Sequence, residues 1–445
     1  MKVSGIADMV NCLDLFALGV CLIAWLGPML YNGFQGKWHL LHPIGFFPLM
    51  IVSMLIAPLA YRLGGEPILN TSRLWSDDEW FLAAPLLILA LTGVFYYLGV
   101  LLSRTSLRLG PADSVQFCLP LPLLRNVPHT VLAASACTVI GVAVMLQLAK
   151  PTERDVLGFY WMNVIFHCFE VIPLLVFHQN RRLGLLCLLL VLPCTILVQS
   201  KVAFLMIPLN FLLFYQGKVF SFSKVLTASL VGLVLMTPVA ATLYSSDFSQ
   251  TRDRRDLSGL SAASWRESIE MLAHRDYAFE AFACVCQWRR GGEPLKWGDE
   301  LARELAQTVP SALWIGQKTV QFYRFPQEYL PYDYRGWATC YARHLLTNFL
   351  LDFGIPGCCL GMLFYGFVFG SFYRIARDAA VRSRAIWPLG LNLIWVLQAR
   401  YFVEGGLPGG LARFFGMLAG VLLLLGLSRL LSAREAPLIL PQGTW

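Results

Sequence analysis

Charge is what this sequence has least of. Asp, Glu, Lys and Arg together make up 14% of the 445 residues, whereas soluble domains carry about 25%. A chain so poor in charge cannot clothe an ordinary soluble surface. Metal-binding patterns are missing too. There are 12 cysteines, but no CxxC pair and no Cys/His cluster at ligand spacing, so zinc or thiol redox chemistry is not indicated. Cys284 and Cys286, one residue apart, read as packing residues. No metal or cofactor is expected. There is also no internal repeat of the kind that many transporters carry in their two halves. The opening "MKVSGIADMVNCLDLF" is followed by no A-x-A site, so no cleavable signal is expected.

What is present is apolar length. Hydrophobic residues make up 57% of the chain, and several windows of about 20 residues lack any charge, enough to cross a hydrocarbon core of about 30 Å. The expected fold class is an all-α polytopic membrane protein of about 11 transmembrane helices (10–12) with one large, partly helical external loop. Hydropathy places spans near 10–31, 39–61, 80–102, 130–149, 158–178, 183–199, 202–216, 225–244, 346–373, 385–401 and 409–428. The organisation is then helices 1–8 in residues 1–244, the loop in 245–345, and helices 9–11 with a tail in 346–445. The net charge of +8 lies largely in short loops, so it points to membrane orientation and away from nucleic acid.

The segment 245–345 stands apart, with 13 Lys/Arg and 13 Asp/Glu. Within it "SWRESIEMLAHRDYAFEAFACVCQW" has the apolar spacing of an amphipathic helix, and "GDELARELAQTVPSALW" reads as another, closed by Pro310. Loops this long with structure of their own are usually functional. The basic stretches "HQNRR", "QGKVFSFSK", "YRIARDAAVRSR" and "SRLLSAREA" belong in the cytoplasm by the positive-inside bias. The long loop then lies outside, which in a bacterium means the periplasmic side of the inner membrane.

That orientation bears on Lys201, set within "PCTILVQSKVAFLMIPLNFLLFY". A lysine facing lipid costs at least ~2.5 kcal/mol. Both flanks of the stretch are basic, so the chain between them crosses an even number of times. Residues 183–216 would measure ~51 Å as one helix, which is two short crossings. "QSK" becomes the outer turn of a hairpin. Lys201 then either snorkels as an anchor or forms an anion site level with lipid phosphates.

Further candidates fall on the same rim. "SQTRDRRDLSG" interleaves Arg252, Arg254 and Arg255 with Asp253 and Asp256; arginine suits phosphate because it donates two hydrogen bonds at once, though a self-neutralised solvated run has the same composition. "VPSALWIGQKTVQFYRF" supplies Trp314 and Lys318, which equally make an interfacial anchor. "LTNFLLDFGIPGCCLG" opens a span with Asn348, Asp352, Gly354 and Gly357; Asp352 there complements a helix dipole or acts chemically. "LQARYFVEGGLPGGLARFF" reads as a Gly/Pro-rich outer turn carrying Arg400, Glu404 and Arg413, and ionisable groups inside membranes are functional by default.

This order of features resembles the Wzy-type oligosaccharide repeat-unit polymerases, which include O-antigen and exopolysaccharide polymerases. The resemblance covers roughly residues 195–415. Where the family more often has Gly-Ser-Arg, this chain has Gln199-Ser200-Lys201; of the loop element Ile-Pro-Arg-x-x-Trp-Pro-x-Lys-Pro it keeps Pro310, Trp314 and Lys318; and for Asn-Phe-Gly it has Asp352-Phe353-Gly354. Ser311 stands where that pattern has an arginine, and lysine at 201 forfeits bidentate geometry.

The resemblance implies a glycosyltransferase that polymerises undecaprenyl-diphosphate-linked oligosaccharides, donor and acceptor both lipid-linked, sometimes with a separate chain-length regulator as partner. Cations must stabilise the leaving diphosphate; Lys201, Arg255, Lys318, Arg400 and Arg413 are the candidates, with Arg252 beside them. Glu404, Asp256 and Asp352, in that order, and then His274, are candidate bases for the acceptor hydroxyl. Trp288, Trp297, Trp314 and Tyr334 offer sugar-stacking faces or packing. Two other readings remain open. The acidic run "LWSDDEW" with Asp77, Asp78 and Glu79 fits a polyprenyl-linked glycosyltransferase or ligase, or a helix N-terminus after Ser76. A flippase for lipid-linked sugar would instead line a midplane cavity with its charges.

Overall fold

The computed structural model describes residues 3–37, 39, 41–52, 83–110, 127–148, 172–197, 278–302, 345–381, 395 and 399–435. All regular structure among them is helical. In chain order the long elements are α1 (Val3–Phe34), α2 (Ala83–Leu102), α3 (His129–Leu148), α4 (Ile172–Gln179), α5 (Arg181–Leu197), α6 (Ala278–Arg290), α7 (Leu345–Val381) and α8 (Ala399–Glu435). Among the described residues four stretches are long and apolar enough to cross a bilayer: Cys12–Phe34, Ala83–Leu102, Leu345–Asp378 and Phe414–Ser432. The expected spans 130–149 and 183–199 coincide with α3 and α5; those at 202–216 and 225–244 lie outside the described residues.

Three helices form the centre, and they run parallel. Asp14 of α1 accepts from the Ala83 N–H at the start of α2 (2.8 Å), the Trp25 indole donates to Leu89 C=O (2.9 Å), and Asn32 donates to Leu107 C=O (2.8 Å). The pairing thus advances along both chains together. Along α2 and α7 the same holds. A Cβ on Gly99 would come within 2.0 Å of Leu363 O, one on Gly366 within 2.1 Å of Tyr96 O, and one on Gly370 within 2.2 Å of Ser103 Oγ. Bare glycine backbone lets the two helices touch, the usual device where lipid offers no hydrophobic drive for association.

Aromatic rings fill the remaining space. Trp25, Phe47, Tyr96 and Tyr365 stack in turn, with Phe47–Tyr96 at 5.0 Å and Phe47–Tyr365 at 4.6 Å. Two phenols of this group reach across to neighbouring backbone: Tyr96 OH donates to Pro43 C=O (2.8 Å), and Tyr97 OH donates to Trp25 C=O. Parallel packing gives the bundle two unlike ends. Where α1, α2 and α7 finish, Lys37, Arg104, Arg108, Arg374 and Arg377 collect, and His42 packs on the Tyr373 ring at 4.4 Å. Where α7 begins, the segment 278–302 docks.

One expected element differs. The Gly/Pro-rich stretch 397–415, read from sequence as an outer turn between the last two spans, is helical from Ala399 on, and α8 runs through it. Pro408 removes one amide donor only, and membrane helices tolerate such breaks when neighbours supply partners. The expected amphipathic helices of the loop are present as far as the residues are described: α6 covers 278–290, and a helix begins at Asp299.

Candidate functional site

A densely hydrogen-bonded polar site among the described residues joins the segment 278–302 to the first turns of α7. Helix α7 breaks at Gly354, whose φ of 68° and ψ of −160° are not helical. Two carbonyls lose their helical donors there. Leu351 C=O would accept from the amide of residue 355, beyond the break. Asp352 C=O would accept from residue 356, which is proline and has no N–H. A buried carbonyl left open costs about 1–3 kcal/mol.

The segment 278–302 closes both. Lys296 N–H donates to Leu351 C=O (3.2 Å) and Trp297 N–H donates to Asp352 C=O (2.9 Å). Two residues later the exchange reverses. The helix that begins at Asp299 has orphan N–H groups, as every helix start does, and the Asp352 carboxylate accepts from Glu300 N–H (3.1 Å) and Leu301 N–H (2.8 Å). Asp352 is thus an N-cap supplied from a distant element, with its side chain 0% exposed. The backbone turns needed are tight. Gly298 sits at φ 91° and Trp297 at φ 52°. A Cβ on Gly298 would meet Phe353 Cζ at 3.3 Å, and one on Gly354 would meet Leu295 Cδ2 at 3.4 Å.

Helix α6 continues this docking. Phe279, Phe282 and Val285 are buried, which is the apolar face that the sequence spacing called for. After it, Lys296 lies over the Trp288 ring at 5.6 Å, and Arg289 donates to Glu293 C=O.

These observations sort the candidate residues. Asp352 has both oxygens engaged by amides and is buried, so it serves as a cap; a base needs a lone pair facing its substrate. Trp288 is half-buried under Lys296, while Trp297 is 76% exposed. Arg400, Glu404 and Arg413 share α8 and not a turn; positions 400 and 413 are separated by ~20 Å of helix. Phe414, next to Arg413, stacks on Phe372 (6.4 Å) and Trp395 (5.4 Å). Phe372 lies ~27 Å along α7 from Gly354, so Arg413 and Asp352 are not brought together. Lys201, Arg252, Arg255, Asp256, His274, Trp314, Lys318, Tyr334, Asp77, Asp78 and Glu79 lie outside the described residues.

The clamp itself was missed from sequence. Its signals are Gly354 two residues before Pro356, which marks a break, and Gly298 before Asp299, which marks a helix start; nothing local says that the two meet. Comparison with known proteins finds no matching family model, no matching curated protein and no matching solved structure.

Proposed function

We propose that this chain polymerises oligosaccharide repeat units carried on undecaprenyl diphosphate, at the outer face of the membrane. The growing chain leaves its lipid diphosphate and is transferred to a hydroxyl of a second lipid-linked unit. Lys201, Arg252, Arg255, Lys318 and Arg400 are assigned to the leaving diphosphate, whose developing charge needs fixed cations at head-group depth. Glu404 and Asp256 are assigned to the acceptor hydroxyl and Trp314 to a sugar face. Arg413 is assigned to the same set of cations, and Asp352 is left to its capping role.

One observation carries the reading: an extramembrane segment of the long loop is tied by directed hydrogen bonds to the opening of a span, at the end away from the basic cluster. A conduit has no need of such a fixture, whereas an enzyme acting on a lipid-borne diphosphate needs its external residues held at one depth.

The deciding assay uses the purified full-length chain in detergent with undecaprenyl-diphosphate-linked oligosaccharide. A ladder of lengthened products is expected, lost in Arg400→Ala and in Arg413→Ala with single repeats left on lipid. Activity only in a sealed bilayer marks a flippase and overturns the reading. Transfer of single sugars from a polyprenyl phosphate, lost with metal or with Asp77 and Asp78, marks the other transferase class and also overturns it.

A further inference from the structure

The exposed ring of Trp297 stands out beside the clamp. A tryptophan at φ 52° is a backbone outlier for a bulky side chain, and such conformations persist only where the surroundings enforce them. The enforcement is on view: the Trp297 amide is held by Asp352 C=O at 2.9 Å, and the next residue, Gly298, leads straight into the helix start that the Asp352 carboxylate caps. The chain therefore fixes the backbone that carries this indole and leaves the residue 76% exposed.

Its neighbours say to what. Gly298 lies against the Phe353 ring. Phe353 is exposed just before the break in α7, and beyond it Leu360, Phe364 and Phe367 are exposed as well, at a spacing that puts these three on one helical face. That row belongs to the candidate span Leu345–Asp378, so it is the surface that meets acyl chains. The straight part of α7 after the break, residues 357–378, measures ~33 Å, about one hydrocarbon core. With Arg374 and Arg377 near one end of that length, the break at Gly354 falls at the opposite interface. Tryptophan and lysine are the residues enriched at that depth, and Trp297 follows Lys296.

We infer that the turn 291–298 is a membrane-contacting element, with Trp297 seated in the outer head-group layer at the top of the lipid-facing row of α7. The external segment is then held between the protein at Asp352 and the bilayer at Trp297. This holds whether or not the chain is a polymerase.

The test is depth-resolved quenching of the full-length protein in vesicles of phospholipids brominated either near the head group or deep in the chains. Emission of Trp297→Phe is subtracted from that of the parent to isolate one indole of the 13 present. The expected difference spectrum is blue-shifted, quenched more by shallow than by deep bromine, and shielded from aqueous iodide. An indole emitting as in water, open to iodide and indifferent to brominated lipid, overturns the inference, as does stronger quenching by deep bromine. Should the Phe variant fold poorly, Trp297→Gly supplies the subtraction, since glycine suits a positive φ.

Discussion

The middle of the bundle and the clamp at its mouth are held by opposite means. Between α2 and α7, cohesion comes from shape: Gly99, Gly366 and Gly370 remove side chains so that backbone meets backbone, and rings of Tyr96, Phe47 and Tyr365 fill what is left. At the clamp, cohesion comes from direction: four amides and three acceptor groups meet at 2.8–3.2 Å around Gly354 and Gly298. In lipid, helices gain little from hydrophobic exclusion, so fit decides. At the rim, exposed backbone polar groups need partners, and hydrogen bonds decide.

The contrast sets an order of expected damage. Gly366→Leu puts a side chain where Tyr96 O already stands at 2.1 Å from the Cβ position. The helices must separate, and overpacking of this kind costs ~3 kcal/mol or more; monodisperse elution in detergent should be lost. Asp352→Ala is expected to cost ~1–3 kcal/mol, because it leaves two buried amides unsatisfied. Its signature is local: faster proteolysis near residues 296–301 while the thermal transition of the bundle moves little. Asp352→Asn, which keeps one acceptor, should show a smaller version, and a polymerase activity that survives in Asn separates cap from base. Gly298→Ala, at φ 91°, should cost ~1 kcal/mol by the same proteolytic readout. Smallest of all, Trp297→Gly relieves a strained backbone and should leave the transition unchanged or raise it by up to ~1 kcal/mol. A bundle melted by Asp352→Ala, or a clamp opened by Gly366→Leu with the bundle intact, would break the division drawn between the two regions.

What could be read from the chain follows the same division. The apolar stretches in α1, α2, α7 and α8 were legible because a run of sufficient length with so little charge admits few other readings, and α6 because its apolar residues recur at helical spacing. The helical course through 399–415 was not, since Gly405, Gly406, Pro408, Gly409 and Gly410 have the composition of a loop, and only tertiary context keeps such a stretch helical. Asp352 shows the limit at the site. Its neighbours marked a helix start, and a helix-dipole role was among the alternatives, but the helix it caps starts 53 residues earlier in the chain, a pairing that no local pattern encodes.

Pro356 gives the clamp a mechanical consequence. Because a proline can never donate, the carbonyl of Asp352 has no helical partner to return to if the loop lets go. Straightening α7 cannot compensate for release, so a loop that swung alone would leave this acceptor to interfacial water. An opening that keeps the bond carries the first turns of α7 with the segment 278–302, hinged at Gly354, so that loop and helix mouth move as one lever.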